Sequence, residues 1–225
     1  CIYAHSFWIS EGRKMSKSLG NFIDLEMIES FVNRYNMDAW RYYLVTQGPL
    51  SATDADFTAE RFHEIYSAHL VNTVGNCCSR VTAMIGKYFD GVVPPEQSGT
   101  ERIVVGDIDW PARCSKAAQE WEGAMGRFAI GKAGEAAMGL IRDVDLFIND
   151  TAPFTLAKDE TRRDELGAIL YQCLEVLRMA TNMLLPLMPE KMEFESKKIK
   201  TRLSVEISGE VHQCEAPQDD NQRDV

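Results

Sequence analysis

Between Phe62 and Tyr88 the apolar residues recur at helical spacing, with Phe62, Ile65, His69, Val74, Cys77, Val81, Met84 and Tyr88 on or near one stripe. A helix of that length with one wet face needs helical partners. The pattern supplies two. One region starts at Trp110-Pro111 and runs to Asn149, with a break expected around Gly123 to Gly126. The other, Thr161 to Leu185, carries Leu166, Ile169, Leu170, Leu174, Leu177 and Met183 and is closed by Pro186 and Pro189. Residues 61–190 therefore read as an antiparallel α-helical bundle, and the chain as mainly α. Its one linker-like loop covers Gly91 to Pro95 and Gln97 to Thr100, and Asp150 to Thr155 reads as a turn.

Ahead of the bundle, Ile2 to Ile9 is rich in aromatic and β-branched residues and is followed by Glu11-Gly12, a strand leading into a turn. The loop Arg13 to Asn21 comes next. Asp24 is positioned to cap a helix whose apolar face is Leu25, Ile28, Val32 and Tyr35. Asp38 is expected to cap another through Val45, stopped by Gly48-Pro49. Ser51 to Asp56 reads as a polar connection. The three expected units are 1–60, 61–190, and a polar, partly disordered tail over 191–225, where Lys197, Lys198, Lys200 and Arg202 form a small basic cluster.

Composition narrows the class. The chain has 225 residues, 45% hydrophobic and 26% charged, which is ordinary for a soluble globular protein. No apolar run approaches the ~18 residues a membrane helix needs, and no secretory signal is visible. The chain begins without Met in what reads as mid-domain strand, so an upstream portion is expected. The six cysteines form no C-x-x-C pair, and four lie in apolar helical stretches, which points to reduced core thiols in a cytoplasmic protein and to no metal site in this chain. The net charge of −10 excludes nucleic-acid binding by the whole surface. Any RNA contact must rest on local basic clusters and shaped pockets.

Lys14-Met15-Ser16-Lys17-Ser18, followed by Leu19-Gly20-Asn21, is the most specific local feature. Two lysines on a loop between strand and helix suit a reaction in which charge grows on departing phosphates. An ammonium is a compact charge with three donors on a flexible stem. Ser16 and Ser18 add hydroxyl and backbone donors, and Gly20 lets the chain turn. Taken alone, a pair of surface lysines is more often a solvated turn.

The complete pentapeptide resembles the KMSKS signature of class I aminoacyl-tRNA synthetases, and further segments resemble the methionyl-tRNA synthetase family. Those segments are Ile23-Asp24, Asp38-Ala39-Trp40-Arg41-Tyr42-Tyr43-Leu44, Asp54-Ala55-Asp56-Phe57 and Val74-Gly75-Asn76-Cys77-Cys78-Ser79-Arg80. The resemblance covers residues 2–190. It implies the end of a Rossmann-type catalytic domain and a stem-contact unit ahead of an anticodon-binding bundle. It also implies ATP contact by the 14–18 loop, with Lys17 and Lys14 as the catalytic cations. Asn76 and Arg80, four apart on one helix face, would read anticodon bases. Phe154, in Ala152-Pro153-Phe154, stands where the family usually has Trp and would stack on a base with ~1–3 kcal/mol. Its alternative role is a plug between helices. Implied partners are ATP with Mg²⁺, tRNA(Met), and methionine in the complete enzyme. The HIGH signature, the methionine pocket and any zinc-bearing insertion are not found in this chain and belong upstream in the family. A non-catalytic tRNA-binding module, or a cysteinyl, leucyl, isoleucyl or valyl relative, remains the alternative.

Overall fold

The computed structural model describes residues 4–50, 53–96, 108–193 and 195. Among these the chain is mostly helical. The strand expected from Ile2 to Ile9 is shorter and later, β1 at Trp8–Ser10. It pairs antiparallel with β2 (Arg13–Lys14) through a tight turn in which Glu11 and Gly12 both have positive φ, 54° and 70°. That is the mirror-image turn whose twist matches a hairpin, and Gly takes its second position without strain. The polar connection before Phe57 hides a strand, β3 (Ala55–Phe57), lying parallel to β1. Asp54 and Asp56 fix it from either end, accepting the backbone N–H of Phe7 at 2.9 Å and of Gly12 at 3.0 Å.

Asp24 caps α1 (Leu25–Tyr35) by accepting from the Met27 N–H at 2.9 Å. The cap of α2 (Met37–Gln47) corrects the sequence expectation. It is Asn36, whose side chain accepts from the Ala39 N–H at 2.9 Å while its own backbone takes φ 82°. Asp38 is instead buried, and its carboxyl oxygens accept from Arg41 at 3.3 Å and from the backbone N–H of Lys191 at 2.7 Å. The side chain expected to start one helix thus holds the first turn of a helical stretch at 189–193, far along the chain.

The long helix begins as α3 (Ala59–Ile65), capped by the Thr58 hydroxyl, and ends as α4 (Asn76–Tyr88). Between them lies a wider π segment, Tyr66–Gly75. The apolar stripe shows why: its steps are three and four residues except from His69 to Val74, which is five, and a turn with i→i+5 bonding keeps both on one side. Phe62 on α3 packs edge-on or tilted against Phe31, Tyr35, Trp40 and Tyr43, and Phe57 of β3 joins the cluster. Each such ring pair adds ~0.5–1.5 kcal/mol beyond its area. The core runs without interruption across residue 60, from Phe31 to Met192.

The bundle is completed by α5 (Trp110–Gly126), α6 (Ile130–Thr151), a short α7 (Pro153–Leu156) and α8 (Arg163–Leu184). The break expected at Gly123 to Gly126 falls just later, at Arg127 to Ala129, where Phe128 adopts φ 57°. α6 is the central element, with Ala137, Met138, Leu140, Ile141 and Val144 fully buried. The Trp121 indole N–H donates to the Met183 carbonyl at 2.9 Å and joins α5 to α8. Packing also continues past residue 190, since Met192 is buried. The basic cluster 197–202 and the loop 97–100 lie outside the described residues.

Candidate functional site

The 14–18 loop emerges from the hairpin and closes in one 3₁₀ turn, Lys17–Leu19, ended by Gly20 at φ 69° with its N–H on the Lys17 carbonyl at 3.3 Å. Beyond that turn, its shape depends on a residue to which the sequence assigned no role. The Asn21 side chain accepts from the Ser16 N–H at 2.9 Å and donates to the carbonyls of Ser10 and Lys14, each at 3.3 Å. One amide therefore ties both strands of the hairpin to the loop itself. Its signal was present as the last member of Leu19-Gly20-Asn21, but side-chain amides that fold back on their own loop leave no periodicity. The Ser16 and Ser18 hydroxyls bond each other at 2.8 Å.

Lys14 and Lys17 are both exposed, and neither has a carboxylate partner among the described residues. The Lys17 ammonium stands 5.7 Å from the centre of the Phe22 ring. Met15 is half-buried. The arrangement presents two uncompensated cations and two hydroxyls to solvent from a small, pinned loop. Such a set fits a phosphate chain carrying several charges.

At the other end, Asn76 and Arg80 do not act as a matched pair. Asn76 is exposed and lines a groove of about 360 Å³ between the π segment, Asn36 and residues 188–195. Arg80 turns toward α6, where its guanidinium donates to Asp145 at 2.9 Å and to Asn149 at 3.0 Å. These bonds hold the guanidinium plane in one orientation while its side chain stays 41% exposed. Five residues beyond Asn149, α6 has ended, Ala152 takes φ 44°, and Phe154 projects with 52% exposure between buried Pro153 and buried Leu156. Phe154 is therefore a presented ring and not a plug between helices. The left-handed turn at Ala152 places it.

Cys77, Cys78 and Cys173 are buried, Cys114 is half-buried, and all four are free. Burial pushes the Cys77 and Cys173 thiols up, which keeps them protonated and unreactive. Cys1 and Cys214 lie outside the described residues. No helix among the described residues is long and apolar enough to cross a membrane.

Comparison with known proteins places the chain in a family. Residues 1–82 match the family model described as tRNA synthetases class I (M). The methionine–tRNA ligase of Listeria monocytogenes is 36% identical over 185 residues, 82% of this chain and 27% of that protein. The ligase of Clostridium acetobutylicum is 34% identical over 210 residues, 92% of this chain and 30% of that protein. The fold superimposes on Mycobacterium tuberculosis methionyl-tRNA synthetase in complex with methionyl-adenylate with a TM-score of 0.72 and 27% identity, covering 85% of this chain and 36% of that one. The chain thus spans roughly 27–30% of the length of these two relatives. On sequence and fold together, it belongs to the methionyl-tRNA synthetase family, of whose members it corresponds to a part.

Proposed function

We propose that this chain serves the ATP-dependent ligation of methionine to its tRNA, supplying the KMSKS loop and the anticodon-reading end while the rest of the protein supplies the methionine site. The observation that carries the reading is the loop itself, with Lys14 and Lys17 exposed and unpaired on a scaffold pinned by Asn21. In ATP, Mg²⁺ and the triphosphate supply an activated α-phosphorus with pyrophosphate as leaving group. Lys17, and next Lys14, meet the charge that grows on the departing oxygens, and the Ser16 and Ser18 hydroxyls can rotate from each other toward phosphate oxygens. Residues 1–60 in this reading close a Rossmann-type domain and carry the stem-contact unit. Residues 61–190 form the anticodon-binding bundle, and the protein is cytoplasmic.

Base recognition falls to Asn76, Arg80 and Phe154. Phe154 offers a face for one unstacked base, and Arg80, already oriented by Asp145 and Asn149, offers its remaining donors to a base edge. The test uses the parent protein and tRNA with a CAU anticodon against one with a changed anticodon, at fixed salt. Binding weakened by about tenfold or more on the change supports the reading. Equal affinity, with equal charging, overturns the anticodon role. A non-catalytic tRNA-binding module would bind the same tRNA with no ATP–pyrophosphate exchange.

A further inference from the structure

Between α5 and α6 lies a second groove, about 430 Å³, walled by Arg113, Arg127, Lys132 and Arg142 with Glu120 and Glu135. Small residues, Ala124, Ala136 and Gly139, contribute to its lining, and the Arg113 guanidinium lies over Gly139. Arg113 pairs with Asp143, Arg142 with Glu135, and Lys116 with Glu120. That leaves Arg127 and Lys132, both exposed and flanking the α5–α6 turn, with no ion-pair partner among the described residues. Four cations and two carboxylates thus line the groove, in a protein whose net charge is −10. The sign of the surface is inverted here.

The groove is joined to the reading end along α6. Asn149, Leu146, Arg142, Gly139, Glu135 and Lys132 are separated by alternating steps of three and four, so they form one continuous stripe along α6. Asn149 holds Arg80 at one end of the stripe. At the other, a Cβ on Gly131 would stand 3.2 Å from the Thr46 carbonyl, and one on Gly48 would stand 3.1 Å from the Trp8 ring. The groove end of α6 therefore abuts the C-terminus of α2, which abuts the strand that leads into the 14–18 loop. With 22 residues, α6 spans roughly 33 Å between the two regions.

We infer that this groove and stripe hold the sugar–phosphate backbone of tRNA between its anticodon end and the end that reaches the catalytic loop, without reading bases. The inference rests on the tRNA reading above. A polyanion that runs along α6 between the two ends passes this face, and Arg127 and Lys132 are the cations left free to meet it.

The test is tRNA binding by the parent protein across a range of salt concentrations, with the CAU tRNA and an anticodon-changed tRNA. The Arg127→Gln/Lys132→Gln variant should bind both tRNAs about five- to tenfold more weakly at low salt. Its slope of log K against log salt should be shallower by about 1–2. Arg178→Gln, on the α5–α8 side and paired with Glu175, should keep the parent's slope. An unchanged slope in the double variant, with its melting temperature intact, overturns the inference, as does an equal loss in Arg178→Gln. If the parent does not discriminate between the tRNAs yet the double variant loses slope, the anticodon reading fails and the groove stands. Absence of tRNA binding by the parent overturns both.

Discussion

The 14–18 loop and the Arg80 end of the bundle both present cations, but they are built in opposite ways. The loop carries lysines without partners on a turn shaped by its own Gly20 contact and the amide of Asn21. The bundle end carries an arginine already committed to Asp145 and Asn149, between helices whose buried faces are fully packed. A point charge on a flexible stem can follow charge as it moves from one oxygen to another. A clamped guanidinium presents one fixed fork. The difference fits the proposed division of labour, in which one end meets a transition state and the other reads a shape that does not change.

The largest expected effect tests the loop half of that contrast. Lys17→Ala in the parent protein should slow ATP–pyrophosphate exchange by about 10²–10³-fold, the range for removing one fixed electrostatic partner of a developing anion, with tRNA affinity retained. Exchange at the parental rate would remove the basis for assigning this loop to catalysis. Asn21→Ala should follow, with adenylate formation reduced about tenfold. The amide's three partners would lose their shared anchor at a cost of ~1–3 kcal/mol, discounted here because the site is half-exposed. Since Asn21 touches no ligand in this reading, Lys17 would still act when it reaches its position, and the loss should appear mainly in the KM for ATP. A pure kcat loss would show instead that Asn21 itself faces the reacting atoms.

Asp145→Asn probes the other side of the comparison. It keeps an acceptor for Arg80 and removes the charge, so the guanidinium stays in place with weaker restraint. The pair is partly exposed, and such pairs contribute ~0–1 kcal/mol, so tRNA charging should fall no more than about fivefold while adenylate formation is untouched. A loss as large as that for Lys17→Ala would show that the clamp is part of the reading and not merely its support.

How much of this was open to a reader of the sequence depended on the range of the signal. The loop motif, the Asp24 cap and the stripes of the long helices are local, and all appear where spacing put them. The five-residue step from His69 to Val74 was also visible, although its meaning as a π segment required the wider turn to be seen. What failed to show was non-local or very short. β3 has three residues, one of them Asp, and exists because β1 lies alongside it. Asp38 has the type and position of a helix cap, yet Asn36 won that place and Asp38 bonds Lys191, 153 residues away. Nothing in the neighbouring sequence encodes that partner. Arg80's turn toward α6 is of the same kind, since its partners lie 65 and 69 residues further along.

The smallest predicted effect asks whether the helical half has a pH response of its own. Tyr42 and His69 meet at 2.9 Å where α2 packs on the π segment. Burial raises the Tyr42 phenol, so it stays protonated and can donate to the imidazole Nδ1 in the tautomer that carries its proton on Nε2. Burial lowers the His69 pKa; Glu135 opposes the shift, and Arg142 and Arg61 reinforce it. A histidine whose folded pKa lies below its unfolded value of ~6.5 binds protons better in the unfolded chain. Its contribution to stability is therefore present above about pH 6.5 and is lost as pH falls through the lowered folded value. His69→Gln keeps an acceptor for Tyr42 but cannot titrate. In urea unfolding of this chain, the variant should be less stable by no more than about 1 kcal/mol at pH 7.5, and the two stability curves should converge as the pH is lowered to about 5. Curves that remain parallel would show that His69 is not the titrating group.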